Sequence, residues 1–433
     1  MLLKYIENFS LKRTLQSTIF KNYFFLSIYQ VVNFAVPLII VPYLISRIGV
    51  ANFGLVAFSY AFVNYFNVIV DYGFNLSATQ RISVNRSNKE VVNTIFSTVY
   101  ISKLIFLSIC FLLYIALIYT FPVLYAQRWL HLSSFAIVVG QALIPIWLFQ
   151  GMEDMKFLAI CNILSKLIYF ACILLYIRLP TDYYLVNLFQ GLSAIVAGIL
   201  SIYIVLKKFN VRFVRITVKD VKTEVTSGKM LFFSSVAVNI YLNSNAFILG
   251  VFASPAEVGI YSIAEKVYYA LKQLSNVFSQ VIFPQICLLA ASSVTALKAF
   301  LKKVFVPFIA LIMLACVVVF FATHLISSYF LKGEINYHLI LLINIFCIAI
   351  IINACDIPAF QTLLAYNEKN KYGLVLILGC AINIIANIVL VNLFKSLGTV
   401  YAILITESFI TFGLGYYFFK VLKQKSHEIP HHL

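Results

Sequence analysis

The sequence predicts an all-α polytopic membrane protein, with about twelve transmembrane helices in two repeated six-helix lobes around a central lumen. Three observations predict it. Of 433 residues, 62% are hydrophobic and 11% charged, where a soluble domain carries roughly a quarter charged residues. Apolar runs long enough to cross a bilayer core of about 30 Å recur along the whole chain. The second half repeats features of the first in the same order. A transmembrane barrel is excluded, because its signal is short alternating segments rather than continuous apolar runs.

The spans fall in order at 22–46, 53–80, 93–120, 130–150, 157–178, 183–206, 230–252, 258–290, 303–330, 337–364, 372–394 and 398–420. An even number puts both termini on one side. Lys and Arg decide which, since short cytoplasmic loops carry their excess. One set of ends holds Lys4, Lys12, Arg13 and Lys21, then Arg81, Arg86 and Lys89, then Lys156, then the seven basic residues from Lys207 to Lys229, then Lys298, Lys302 and Lys303, then Lys369 and Lys371, and finally Lys420, Lys423 and Lys425. The opposite set holds Arg47, Arg128, Arg178, Lys332 and Lys395. Both termini are therefore expected in the cytoplasm. The net charge of +17 is read as topology and not as a nucleic-acid surface. The most basic connection runs from Lys207 to Lys229. It divides an N-terminal lobe (1–206) from a C-terminal lobe with a short cytoplasmic tail (230–433), and 207–229 is the connecting loop. The first apolar segment is too long for a cleavable signal.

The repeat shows in two places. GVANFGLVAFSYAF, from Gly49, opens span 2, and SPAEVGIYSIAEKVYY, from Ser254, opens span 8, with Gly54 against Gly259. LFQG ends span 4 and AFQT ends span 10, with Gln150 against Gln361. An even number of spans per lobe gives both copies the same orientation, and sites in such folds tend to lie between repeats.

Span 2 also carries a polar stripe. Tyr60, Asn64, Asn67, Asp71 and Asn75 recur in steps of three and four, followed by Thr79, so they share one helix face. Amides facing lipid would be costly, so that face meets protein or water. Asp71 ends the apolar run where its face leaves lipid for the cytoplasmic mouth of a wet lumen. Span 8 offers Glu265, Tyr269, Lys272, Asn276 and Gln280 at the corresponding register, with Tyr268 beside them. The bland alternative is interhelical glue. Asp356 in span 10 and Glu407 in span 12 join Asp71 and Glu265 as ion-coupling candidates. Lys166 lies mid-span, whereas Lys103 lies nearer an interface, where snorkelling alone accounts for it. Pro37, Pro42, Pro145, Pro284, Pro307 and Pro358 predict bends.

No H-E-x-x-H, G-x-x-x-x-G-K-[ST] or G-x-S-x-G occurs. The eight cysteines read as packing residues, and His427, His431 and His432 as a solvated tail. No catalytic residue, metal site or cofactor is expected.

The runs PYLISRIGVANFGL, DYGFNLSATQ and PIWLFQGMEDMKF resemble signatures of Wzx-type O-antigen flippases, in the polysaccharide-transporter branch of the MOP superfamily. Asp71, Gly73, Gln150 and Gly151 fall on those motifs. The resemblance implies a multi-pass protein of the bacterial inner membrane. It implies a substrate of undecaprenyl diphosphate carrying one oligosaccharide repeat unit, moved to the periplasmic leaflet by alternating access coupled to a proton or sodium gradient. Membrane lipids, a polysaccharide polymerase and a chain-length regulator are the implied partners. On that reading Lys272 is the first choice for the diphosphate or an acidic sugar. Lys166 is the second, and Arg47 a contact at the periplasmic mouth. Asn64, Asn67, Tyr268 and Tyr269 suit sugar hydroxyls. Two rivals stand: a MATE-like exporter of small cations, and an integral membrane polymerase or glycosyltransferase.

Overall fold

A computed structural model describes residues 18–428. Lys4, Lys12, Arg13, His431 and His432 lie outside them. Among the described residues there is no strand, and ten helices are long and apolar enough to cross a membrane. The chain forms two compact units, residues 1–49 with 58–239 and residues 50–57 with 240–433.

The first helix, α1 (Thr18–Asp71), belongs to the first unit except for residues 50–57; it joins predicted spans 22–46 and 53–80 in one run, kinked at Gly49, where φ is 79°. Pro37 and Pro42 stay inside it. The second predicted span does not run unbroken to residue 80. Tyr72 (φ 46°) and Gly73 (φ 76°) turn left-handed, and α2 (Phe74–Val84) starts afresh. Glycine takes that conformation freely, whereas tyrosine loses about 1–2 kcal/mol. Packing offsets the loss, because the Tyr72 ring stacks between Phe106 and Phe232 at centroid distances of 4.8 and 4.4 Å.

Beyond α3 (Lys89–Thr120) and the short α4 (Pro122–Tyr125), predicted span 130–150 breaks into α5 (Arg128–Ser134), α6 (Ala136–Leu143) and α7 (Ile146–Gly151). Pro145 supplies no N–H at the second break. The Tyr100 hydroxyl donates to the freed Leu143 carbonyl at 2.7 Å. The next helices are α8 (Met155–Tyr176) and α9 (Tyr183–Lys208). α9 packs tightly on α6, since a Cβ at Gly191 would meet Ala136 and one at Gly140 would meet Ala194.

The next helix, α10 (Val218–Phe252), begins inside the segment read as the connecting loop. Asp220 holds its start, accepting from the N–H and hydroxyl of Thr217 at 2.8 and 2.7 Å. Those bonds hold the Asp220 carboxyl below its usual range.

In the second unit, α11 (Pro255–Ser292) starts behind a Ser254 cap and contains Pro284. It is followed by α12 (Val294–Phe330), α13 (Tyr337–Ala365), α14 (Lys369–Phe394) and α15 (Ser396–Glu428). Residues 50–57 belong to this unit. A Cβ at Gly54 would fall on the Pro255 carbonyl, and one at Gly259 on the Val50 carbonyl. The two glycines matched in the sequence repeat thus lie in one close backbone packing.

Candidate functional site

The polar residues of span 2 line a cavity of about 330 Å³ in the first unit. Tyr60, Asn64, Asn67, Asp71 and Asn75 all face it, joined by Lys103 and Gln141. Asn67 donates to Asn64 at 3.0 Å. Asn75 crosses the helix break to donate to Asp71 Oδ2, also at 3.0 Å. These i, i+4 neighbours stay in contact although α1 ends between them.

Lys103 does not snorkel. Its side chain is 4% exposed, and its ammonium donates to Asp71 Oδ1 at 3.0 Å. The sequence reading missed it because a lysine near a predicted span end has water within reach, whereas its partner lies on another helix.

A second, smaller cavity of about 150 Å³ shares Tyr60, Gln141 and Ile144 with the first. Lys166, Asn162, Tyr169 and Gln190 line it. Arg47 is exposed and stacks over the Tyr43 ring at 5.3 Å, just before the Gly49 kink. It lines neither cavity.

The second unit gathers Glu265, Tyr268, Tyr269 and Lys272 from α11 around a narrow space with Tyr261 and Asn245. The Lys272 ammonium lies 2.9 Å from Glu407 Oε1 and donates to the Tyr268 hydroxyl at 3.1 Å. Tyr268 donates to the same Glu407 oxygen at 3.0 Å, and Asn353 to Oε2 at 3.1 Å. Tyr261 donates to Glu265 at 3.2 Å. Asp356 is 6% exposed and near enough to feel both Glu407 and Lys272. The expected diphosphate contact is therefore engaged by a carboxylate. Burial explains the pairing: a charge removed from water needs a partner and further hydrogen bonds. Asn276 and Gln280 are exposed and outside this space, with Asn276 bonded to Gln273 at 3.3 Å.

The repeated glutamines have matching places. The Thr79 hydroxyl of α2 donates to the Asn75 carbonyl at 2.6 Å, and the Trp147 carbonyl and Gln150 amide oxygen of α7 lie 3.1 and 3.3 Å from it. Gln361 donates to the carbonyl and hydroxyl of Ser279 at 2.6 Å, tying α13 to α11. They lie between helices and face neither cavity. His131 has a similar structural place: its Nδ1 lies 2.9 Å from Ser59 Oγ in a buried network with Ser134 and Asn187.

Residues 19–289 match the family model described as polysaccharide biosynthesis protein. A protein of Escherichia coli (strain K12) named "Putative O-antigen transporter" is 28% identical over 397 residues, covering 90% of this chain and 94% of its own. One of Shigella dysenteriae with the same name is 27% identical over 394 residues, covering 90% and 97%. Among solved structures, a multidrug resistance MATE family transporter of the MOP superfamily, in its inward-facing conformation, superposes with a TM-score of 0.71. It is 13% identical and covers 94% of this chain and 99% of its own. A MOP superfamily transporter from Pyrococcus furiosus gives 0.61 at 13% identity, covering 94% and 95%. At such identity these structures establish the fold alone.

Proposed function

The chain belongs to the polysaccharide biosynthesis protein family, and on that premise we propose that it is a flippase for lipid-linked oligosaccharides. Its substrate is a surface-polysaccharide repeat unit on undecaprenyl diphosphate. The unit moves from the cytoplasmic to the periplasmic leaflet of the bacterial inner membrane, and both termini of the chain are cytoplasmic. One observation carries the reading: amides, a tyrosine hydroxyl and a neutralised ion pair line a cavity inside helices that are otherwise apolar. Sugar hydroxyls lose their water on entering a membrane, and such groups replace it. The names of the two relatives point the same way.

The Lys272–Glu407 pair fits the diphosphate step. A proton taken by Glu407 leaves Lys272 charged and able to meet a phosphate, and its loss restores the pair. The proton gradient drives the cycle in this scheme, with Asp356 as the neighbouring acid.

The test uses a strain lacking this gene with its glycosyltransferases intact. Single lipid-linked units accumulating on the cytoplasmic face are the expected result. Single units on the periplasmic face, left unchained, would assign a polymerase instead. Unchanged lipid-linked sugars with raised drug sensitivity would assign a small-molecule exporter.

A further inference from the structure

The second unit contains a larger cavity, about 600 Å³, that the transport scheme does not use. It is a groove where α12, α15 and Pro358 of α13 meet. Its wall is apolar, with Leu301, Phe305, Ile309, Phe418 and Leu422 along it. Val306 and Phe419 on its lip are 58% and 71% exposed, so the groove opens on the outer face of the helices.

One end differs. Lys298 and Lys302, a single turn apart near the start of α12, face Lys423 near the end of α15. Lys298 reaches Ser426 at 3.4 Å, which closes that end. Among the described residues, no carboxylate lines the groove. Like charges a helical turn apart repel, and a third lysine adds to the repulsion. An anion at this end would relieve it.

We propose that the groove is a binding site for an anionic phospholipid of the surrounding membrane. Its phosphate sits among Lys298, Lys302 and Lys423, and one acyl chain lies along the apolar wall. A phosphate and a long hydrocarbon chain in one molecule match a cationic end and an apolar groove. The outward opening selects membrane phospholipid over transported cargo, because bulk lipid meets that face at far higher concentration. The inference rests on the membrane-spanning fold and not on what the chain transports.

The experiment reconstitutes the full-length protein in vesicles of phosphatidylcholine containing a minor fraction of cardiolipin. Spin-labelled cardiolipin and spin-labelled phosphatidylcholine report which lipid is held at the protein surface. Wild type is expected to hold cardiolipin in preference. Lys298→Gln, Lys302→Gln and Lys423→Gln should each reduce the preference by up to about fivefold, and the triple variant should abolish it. Val306→Trp, which fills the lip without touching charge, should displace the held chain while leaving the lysines in place. No preference in wild type would overturn the site, as would a preference that survives the triple substitution. Displacement of cardiolipin by equimolar undecaprenyl phosphate would also overturn it, giving the groove to the polyprenyl lipid.

Discussion

At the scale of single residues, the two ion pairs differ in how much each partner needs the other. Lys103 is buried, whereas the Asp71 side chain is 33% exposed to a polar cavity. Asp71→Asn therefore leaves a buried ammonium without its counter-charge and should lower stability by about 2–4 kcal/mol. Lys103→Met leaves a carboxylate that the cavity can hydrate and should cost less. Combining both should recover much of the Asp71→Asn loss. Thermal unfolding of the three purified variants checks this ordering, and equal losses would mean that the pair is not the controlling contact. Outside the membrane, Arg86 donates to Glu153 at 2.6 Å. That bond holds the Glu153 carboxyl below its usual value. Its contribution is complete above the unfolded carboxylate pKa of about 4.3 and is lost as pH falls through the lower folded value. Arg86→Gln should flatten the acid-side fall of Tm slightly, and more in low salt than in high. The amides facing the first cavity were legible because polar residues at helical spacing stand out in an apolar run. Lys103 was not, because a cation's partner on another helix leaves no local pattern.

At the scale of elements, the glutamines at the ends of spans 4 and 10 show what the repeat conserves physically. Each lies against another helix of its unit, Gln150 beside Thr79 and Gln361 bonded to Ser279. Gln150→Leu removes only a long 3.3 Å contact to a hydroxyl already bonded to Asn75 and should cost about 0.5 kcal/mol or less. Gln361→Leu removes two short bonds from a residue 1% exposed and should cost more, about 2 kcal/mol. Denaturation midpoints in mild detergent measure both. The helices themselves were legible from run length. Their breaks were less so: Pro145 announced one, but the turn at Tyr72 and Gly73 falls within a run whose polar spacing reads as continuous helix. What secures it is the stacking of Tyr72 on Phe106 and Phe232, and both partners are far away in sequence. The helical start of α10 was hidden for the opposite reason, because its basic composition reads as a loop.

At the scale of the whole molecule, the family and the membrane architecture were legible in motifs and composition distributed over the chain. The pairing of Lys272 with Glu407 was not, since those residues come together only when α11 and α15 pack. Glu407→Gln should separate coupling from carriage. In proteoliposomes carrying a lipid-linked saccharide, the variant should still equilibrate substrate between leaflets, but an imposed pH gradient should no longer accelerate it. Acceleration equal to wild type would remove Glu407 from the coupling scheme. On the proposed function, the Asp71–Lys103 pair also shapes how cargo is held. Opposite charges bound to one another leave the first cavity with no monopole, only fixed dipoles. Attraction to a passing sugar then falls steeply with distance, so capture is shallow and escape is quick. A carrier built this way gives up residence time for throughput, and its speed should depend more on membrane concentration of cargo than on the ionic strength of the cell.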